Sequence, residues 1–247
     1  MKSRISIIVI SLGTLLAVNS CDTLNEAAGL IVTDPGNQKT QLTNAEVISG
    51  LKEALSVGIK NAVDISSVTD GFNKNNLIRL PFPEDAQKVK EKALQWKLDG
   101  QVEKFETTLN RAAEEASKEA LPIFKNAILN MSVQDGFSIL NGGQGAATRF
   151  LKNNTTNQLV EAFSPKVKDA ISKVKLTELW NPIISKYNMA MKLKGGETIN
   201  PDLNAYVTEK AINGLFKLVE IEENKIRQDP VARVSDILVK VFGSVSN

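Results

Sequence analysis

From Thr43 onward, apolar residues recur at every third or fourth position, the spacing that gathers them on one face of a helix. The first such segment opens with Thr43 and Glu46, a capping-box pair. Ile48, Leu51, Leu55, Ile59 and Ala62 make its stripe, and Gly50 and Gly58 leave room for a close neighbour. The pattern then stops. "DGFNKNNLIRLPFPED", residues 70–85, holds one Gly, three Asn and two Pro, so no helix runs through it. Leu77, Leu80 and Phe82 are expected to drop into the core, with 76–80 able to form a short extended piece. A helix restarts after Pro83 with the stripe Val89, Ala93 and Trp96, and Gly100 is expected to end it.

Residues 102–130 are rich in alanine. Phe105, Leu109, Ala112, Ala113, Ala116 and Ala120 share one broad face, and small residues there predict a close helical neighbour. Pro122 should kink this helix or divide it in two. Ser132 caps a short helix that Gly142 and Gly143 terminate. Helical spacing resumes through Phe150, Leu151, Leu159 and Phe163, and Ser164 followed by Pro165 reads as the start of a further helix. A shorter segment around Trp180 contains Pro182, and Gly195 and Gly196 read as a loop. The longest uninterrupted pattern follows Asn200 and Pro201, with Leu203, Val207, Ala211, Leu215, Leu218 and Ile221 inward. Glu222 and Glu223 are expected on its exposed side, near Arg227. Asp229 and Pro230 start a last helix, with Val234, Ile237, Leu238 and Val241 inward. No segment alternates like a strand, so an all-α domain of six or more helices over residues 43–243 is the consistent expectation.

The first twenty residues follow a different pattern. Lys2 and Arg4 precede an apolar run from Ile5 to Val18 that Ser6, Ser11, Gly13 and Thr14 interrupt. It is shorter than the roughly 20 residues a spanning helix needs, so a signal peptide is the stronger reading than a transmembrane anchor. Val18 and Ser20 before Cys21 resemble a bacterial lipoprotein signal, in which the cysteine is acylated and becomes the first residue of the mature chain. Several acyl chains, at about 0.8 kcal/mol per buried methylene, would hold it at a bilayer. Residues 21–42 are mostly polar, with one Gly-Leu-Ile-Val patch, and read as a tether. The partners expected are therefore a lipid bilayer through Cys21 and an envelope protein or small ligand. An ordinary secreted protein with an incidental cysteine is the alternative.

Composition narrows the chemistry. The 247-residue chain carries 30 Lys and Arg against 28 Asp and Glu, and losing Lys2 and Arg4 would leave it neutral. A neutral domain has no bulk field for nucleic acid. There is no histidine, and Cys21 is the only cysteine. Ser-His-Asp and Cys-His catalysis, His-based zinc sites and structural disulfides are thereby excluded. No cofactor or metal is expected. Glu220, Glu222 and Glu223 could attract a cation but lack ligand spacing. An enzyme here would work with Arg, Glu, Asp, Lys, Tyr or Ser in an interhelical cleft.

Three places hold candidate contact residues. In "LNGGQGAATRF", residues 140–150, a Gly-rich turn enters a helix start, where free amides attract anions and Arg149 could assist. Without a preceding strand or a Lys-Ser/Thr pair, Gly142, Gly143 and Gly145 do not form a nucleotide fingerprint, and a helix–helix turn is the plainer reading. Arg79 lies between Ile78 and Leu80 in the irregular segment, so its stem should be partly buried. Asn110, Arg111 and Glu114 share the alanine-rich helix, either as a solvated face with Arg111 paired to Glu115 or as a buried polar network beside a cleft.

Several of these stretches together resemble the bacterial domain-of-unknown-function family 4197. They are "GLKEAL" at 50–55, "DGFNKNNLIRLPFP" at 70–83, "NRAAEEA" at 110–116, "PIFKNAI" at 122–128, "DGFSILNGGQGAATRFLK" at 135–152, "YVTEKAINGLFKLVEIEENKIRQDPVAR" at 206–233 and "VFG" at 241–243. The resemblance implies a helical envelope domain, often behind a lipoprotein-type signal, and implies no reaction. A membrane-anchored binding, scaffolding or structural protein is the expectation, with a histidine-independent envelope enzyme or small-molecule binder, using Arg, Glu or Asp in an interhelical cleft, as the alternative.

Overall fold

The computed structural model describes residues 43–173, 176–200 and 202–229, with Val239 and Val241. The chain divides into Met1–Gln41 and Leu42–Asn247, and all described residues belong to the second unit. The signal and tether expected over residues 1–42, Cys21 included, lie outside the described residues, as does most of the last helix expected after Asp229.

Among the described residues the fold is all-α, with eight helices, one 3-10 turn at Glu84–Ala86 and no strand. The helices are α1 (Asn44–Ser66), α2 (Gln87–Gln95), α3 (Asp99–Ser117), α4 (Ala120–Leu129), α5 (Val133–Asn141), α6 (Ala146–Lys173), α7 (Leu176–Lys194) and α8 (Leu203–Gln228). α8 lies against α1, α3 and α6, and α3 and α4 also pack on α6. One continuous apolar core results, centred on side chains such as Leu51, Phe72, Leu109, Phe124, Leu151, Phe163 and Leu215.

Local chemistry sets the helix ends. Thr43 accepts from the Glu46 amide while Glu46 accepts from Thr43, closing the expected capping box. Ser132 and Asp135 close a second one at α5. Asp202 caps α8 by accepting from Ala205. The alanine-rich segment does divide in two, at Lys118 and Glu119. Pro122 then falls in the first turn of α4, where its missing N–H has no intrahelical role. Two glycines permit close approaches. A Cβ on Gly58 would stand 3.4 Å from the Glu222 Cβ, and one on Gly214 would stand 2.8 Å from the Phe72 ring. The second contact seats the irregular segment after α1 directly on α8.

Several expectations are corrected. Leu77 is exposed, because Asn75 holds its amide in a turn and Ile78 takes the buried place. Residues 76–78 form a turn, and no strand is assigned over 76–80. Trp96 is exposed because α2 ends one residue earlier, and Lys97 turns the chain at φ 58°, so Gly100 sits in the first turn of α3. Ile221 lies at the margin of the α8 stripe, 36% exposed. α6 runs unbroken through Pro165. Pro165 and Glu161 are both exposed, so solvent can serve the Glu161 carbonyl that loses its donor. Glu222 and Glu223 are buried instead of facing solvent.

Candidate functional site

Three polar residues of α3, Glu106, Asn110 and Glu114, are turned inward. Asn110 is fully buried, and its amide reads both sides of one residue of the irregular segment. Its Oδ1 accepts from the Leu80 amide at 2.8 Å, while its Nδ2 donates to the Leu80 carbonyl at 2.9 Å and to the Glu106 carbonyl at 2.8 Å. Glu114 Oε1 accepts from two successive amides, Phe72 and Asn73, each at 3.1 Å. Arg111 then bridges Glu114 Oε2 at 2.7 Å and Asp70 Oδ1 at 2.5 Å. Hydrogen bonds from Lys74 and Asn73, with Arg111 behind them, hold the Asp70 carboxyl at about 2. Asn110 and Glu114 are buried and Arg111 is partly exposed, so the cluster is no solvated face, but it lines neither of the concavities described below. Arg111 pairs with Glu114, and Glu115 pairs with Lys118. The network holds the 70–80 backbone in place.

Arg79 follows the same logic. Its guanidinium meets Glu106 at 2.7 Å, and Lys90 meets the other Glu106 oxygen at 2.7 Å. Burial pushes the Glu106 carboxyl up, but hydrogen bonds and charge from Lys90 and then Arg79 outweigh it, so the carboxyl sits below its usual range. Phe82, Phe105 and Trp180 pack beside this cluster with ring centroids 4.6 to 5.8 Å apart. Burial, followed by the negative charge of Glu84, Glu106 and Glu209, pushes the Tyr206 phenol up to about 12, while its hydroxyl donates to the Pro81 carbonyl.

The Gly-rich turn carries an anion that belongs to the chain itself. Glu223 of α8 accepts from the Ala147 amide at 3.0 Å, the Thr148 amide at 2.9 Å and the Thr148 hydroxyl at 2.8 Å. A carboxylate there satisfies the first free amides of α6 and complements its dipole. Arg227 binds Glu223 from the next turn of α8 and donates to the Ile139 carbonyl at 2.8 Å. Gly142 is the C-cap of α5, and Gly143 and Gly145 take φ near 70°, which ordinary side chains resist. Arg149 donates to the Gln144 and Gly142 carbonyls, closing the turn. A depression of about 170 Å³ lies beside Arg149, with Asp135, Ser138 and Phe150 on its walls. Arg79 and Arg111 line neither this depression nor the groove described next.

The larger concavity lies elsewhere, between α6 and α8, with a volume of about 310 Å³. Thr156, Val160 and Ser164 form one wall at intervals of four, and Asn204, Thr208 and Ile212 face them at the same interval. The lining is mainly apolar, with Lys152 and Glu209 also contributing to the walls. Asn204 Nδ2 donates to Ser164 Oγ across the groove at 2.8 Å. Asn204 Oδ1 and Thr208 Oγ1 are buried and have no hydrogen-bond partner among the described residues; Asn224 Oδ1, elsewhere on α8, is the third such atom. Such atoms carry a desolvation cost until a donor or acceptor reaches them. Sequence pattern missed this groove because its residues, read singly, are ordinary surface Thr, Ser and Asn. Their shared spacing of four on two helices was the available signal.

No cluster of metal-ligating residues is present among the described residues. No described helix is long and apolar enough to cross a membrane. A family model described as protein of unknown function (DUF4197) matches residues 41–243. No curated protein matches the chain, and no solved structure does.

Proposed function

We propose that this chain, which belongs to the DUF4197 family, is a lipid-tethered envelope protein whose helical domain binds a partner or small ligand and performs no turnover. The observation that carries the binding role is the α6–α8 groove, mainly apolar but edged by Thr156, Ser164, Asn204 and Thr208. A ligand with an apolar body and a few polar groups suits it, and its volume is at the lower end for small-molecule sites. The enzyme alternative is less well supported. Glu106, Glu114 and Glu223 already hold cations or backbone amides of the fold, and Arg79 and Arg111 are drawn into those pairs. The tether rests on the basic start, the apolar run and the Val18, Ser20, Cys21 sequence.

A photo-crosslinker in place of Val160, on the groove wall, tests this reading in intact cells. An adduct should form at Val160 and not at the exposed Leu77, and Thr208→Val should weaken it. In parallel, Cys21→Ser should abolish labelling by a fatty-acid analogue and release the chain from membranes. Equal adducts at Val160 and Leu77 would remove the binding site, and persistent labelling would remove the tether.

A further inference from the structure

α7 presents two unlike faces. Trp180 and Ile184 are buried, and the Asn188 side chain is fixed to both polar atoms of the Ile199 backbone at 2.8 Å. The opposite side of its last turns is exposed. Leu193 is 85% exposed and Met189, one turn earlier on the same line, is 67% exposed. Exposed Ala190 extends this apolar strip, and Lys186, Lys192 and Lys194 surround it. Residues 185–194 contain no acidic side chain, and the exposed Glu197 in the following loop is the next acid along the chain. The three lysines make no ion pair among the described residues.

We infer that this outer face of α7 docks on an anionic lipid surface, Met189 and Leu193 entering the headgroup boundary while Lys186, Lys192 and Lys194 meet lipid phosphates. Large apolar side chains flanked by lysines are the arrangement of interfacial helices. Lysine stems lie along the apolar layer while their ammonium groups stay among the headgroups. The charge argues against a second copy of the same face, which would bring lysine against lysine. This docking goes beyond the acyl tether and does not require it, because it concerns how the folded domain meets a bilayer.

The test uses the full chain with Cys21→Ser, so that one introduced thiol is unique. Leu193→Cys, and separately the exposed Leu77→Cys as a control, are labelled with a polarity-sensitive fluorophore. The apolar residues 5–18 are common to both chains, so a difference between the two sites reports α7 alone. With phosphatidylglycerol-containing vesicles, emission should shift to the blue at position 193 only, and added salt should reverse the shift. Lys186→Glu, Lys192→Glu and Lys194→Glu together should weaken vesicle affinity by at least about fivefold for each lysine lost. Equal emission at both sites would overturn the inference, as would an equal shift with neutral phosphatidylcholine vesicles. A shift with soluble polyglutamate and none with vesicles would point to an acidic protein partner and overturn it too. Fatty-acid labelling of the native chain is scored separately, so a failed tether and a failed α7 surface are distinguishable.

Discussion

The 70–80 segment and the 142–149 turn are both rich in Gly or Asn, and both are held by one device. In each, a buried glutamate from another helix accepts from two successive backbone amides, and an arginine on the glutamate's own helix braces it. Glu114 serves Phe72 and Asn73 with Arg111 behind it, and Glu223 serves Ala147 and Thr148 with Arg227 behind it. The difference is in the arginines. The Arg111 side chain is 38% exposed and reaches on to Asp70. That of Arg227 is 11% exposed and reaches on to backbone carbonyls of α5. A half-exposed cation can fall back on water when its carboxylate is lost. A largely enclosed one has little water to turn to, so the same substitution should have unequal consequences at the two clamps.

The largest effect is expected from Glu223→Gln. It takes the carboxylate from beside the largely enclosed Arg227 and from the start of α6 together, and should cost about 3 kcal/mol, read from urea unfolding. Glu114→Gln is the matched change at the other clamp. The Gln carbonyl can still accept from Phe72 or Asn73, and Arg111 keeps Asp70 and solvent, so about 1 kcal/mol is expected. Amide hydrogen exchange sharpens the contrast. Glu114→Gln should speed exchange at Phe72 and Asn73 while leaving Ala147 and Thr148 protected. Equal losses of stability would show that exposure of the arginine does not set the difference.

The sequence made one clamp partly legible and hid the other. Asn110, Arg111 and Glu114 cluster within one turn and a half, so a buried network beside the irregular segment could be named as an option before its partners were known. Glu223 and Arg227 have the i,i+4 spacing that exposed pairs also have, and so read as a solvated face. The missed signal was the core stripe itself. Leu215, Val219 and Glu223 follow one another at intervals of four, as do Leu218 and Glu222, so both glutamates continue buried lines. Helix periods and capping boxes were readable because each depends on residues close in sequence. Pro165 departs from its local signal for a reason of the same kind: whether a proline ends a helix depends on the packing on both sides of it, and Leu159, Phe163, Val167 and Ile171 bury one unbroken face across it. The α6–α8 groove joins Ser164 to Asn204, 40 residues apart, so the spacing of four on each helix was readable but not that the two rows face one another.

The smallest expected effect isolates the outer end of the Glu114 clamp. Asp70 has its carboxyl lowered from 3.8 to about 2, chiefly by hydrogen bonds from Lys74 and Asn73, with Arg111 adding to them. A carboxyl that is more acidic folded than unfolded stabilises the fold above its unfolded value, and that contribution fades as pH falls through the folded value. Asp70 should therefore contribute fully above about pH 4 and lose its contribution towards about pH 2. Asp70→Asn removes the titrating group and should flatten the dependence of melting temperature on pH across that window. Glu223 belongs to the other clamp, so the same experiment in the Glu223→Gln background should show the same flattening. If the pH profile of Asp70→Asn parallels that of the native chain, Asp70 takes no part in bracing the loop, and Arg111 must be held by Glu114 alone.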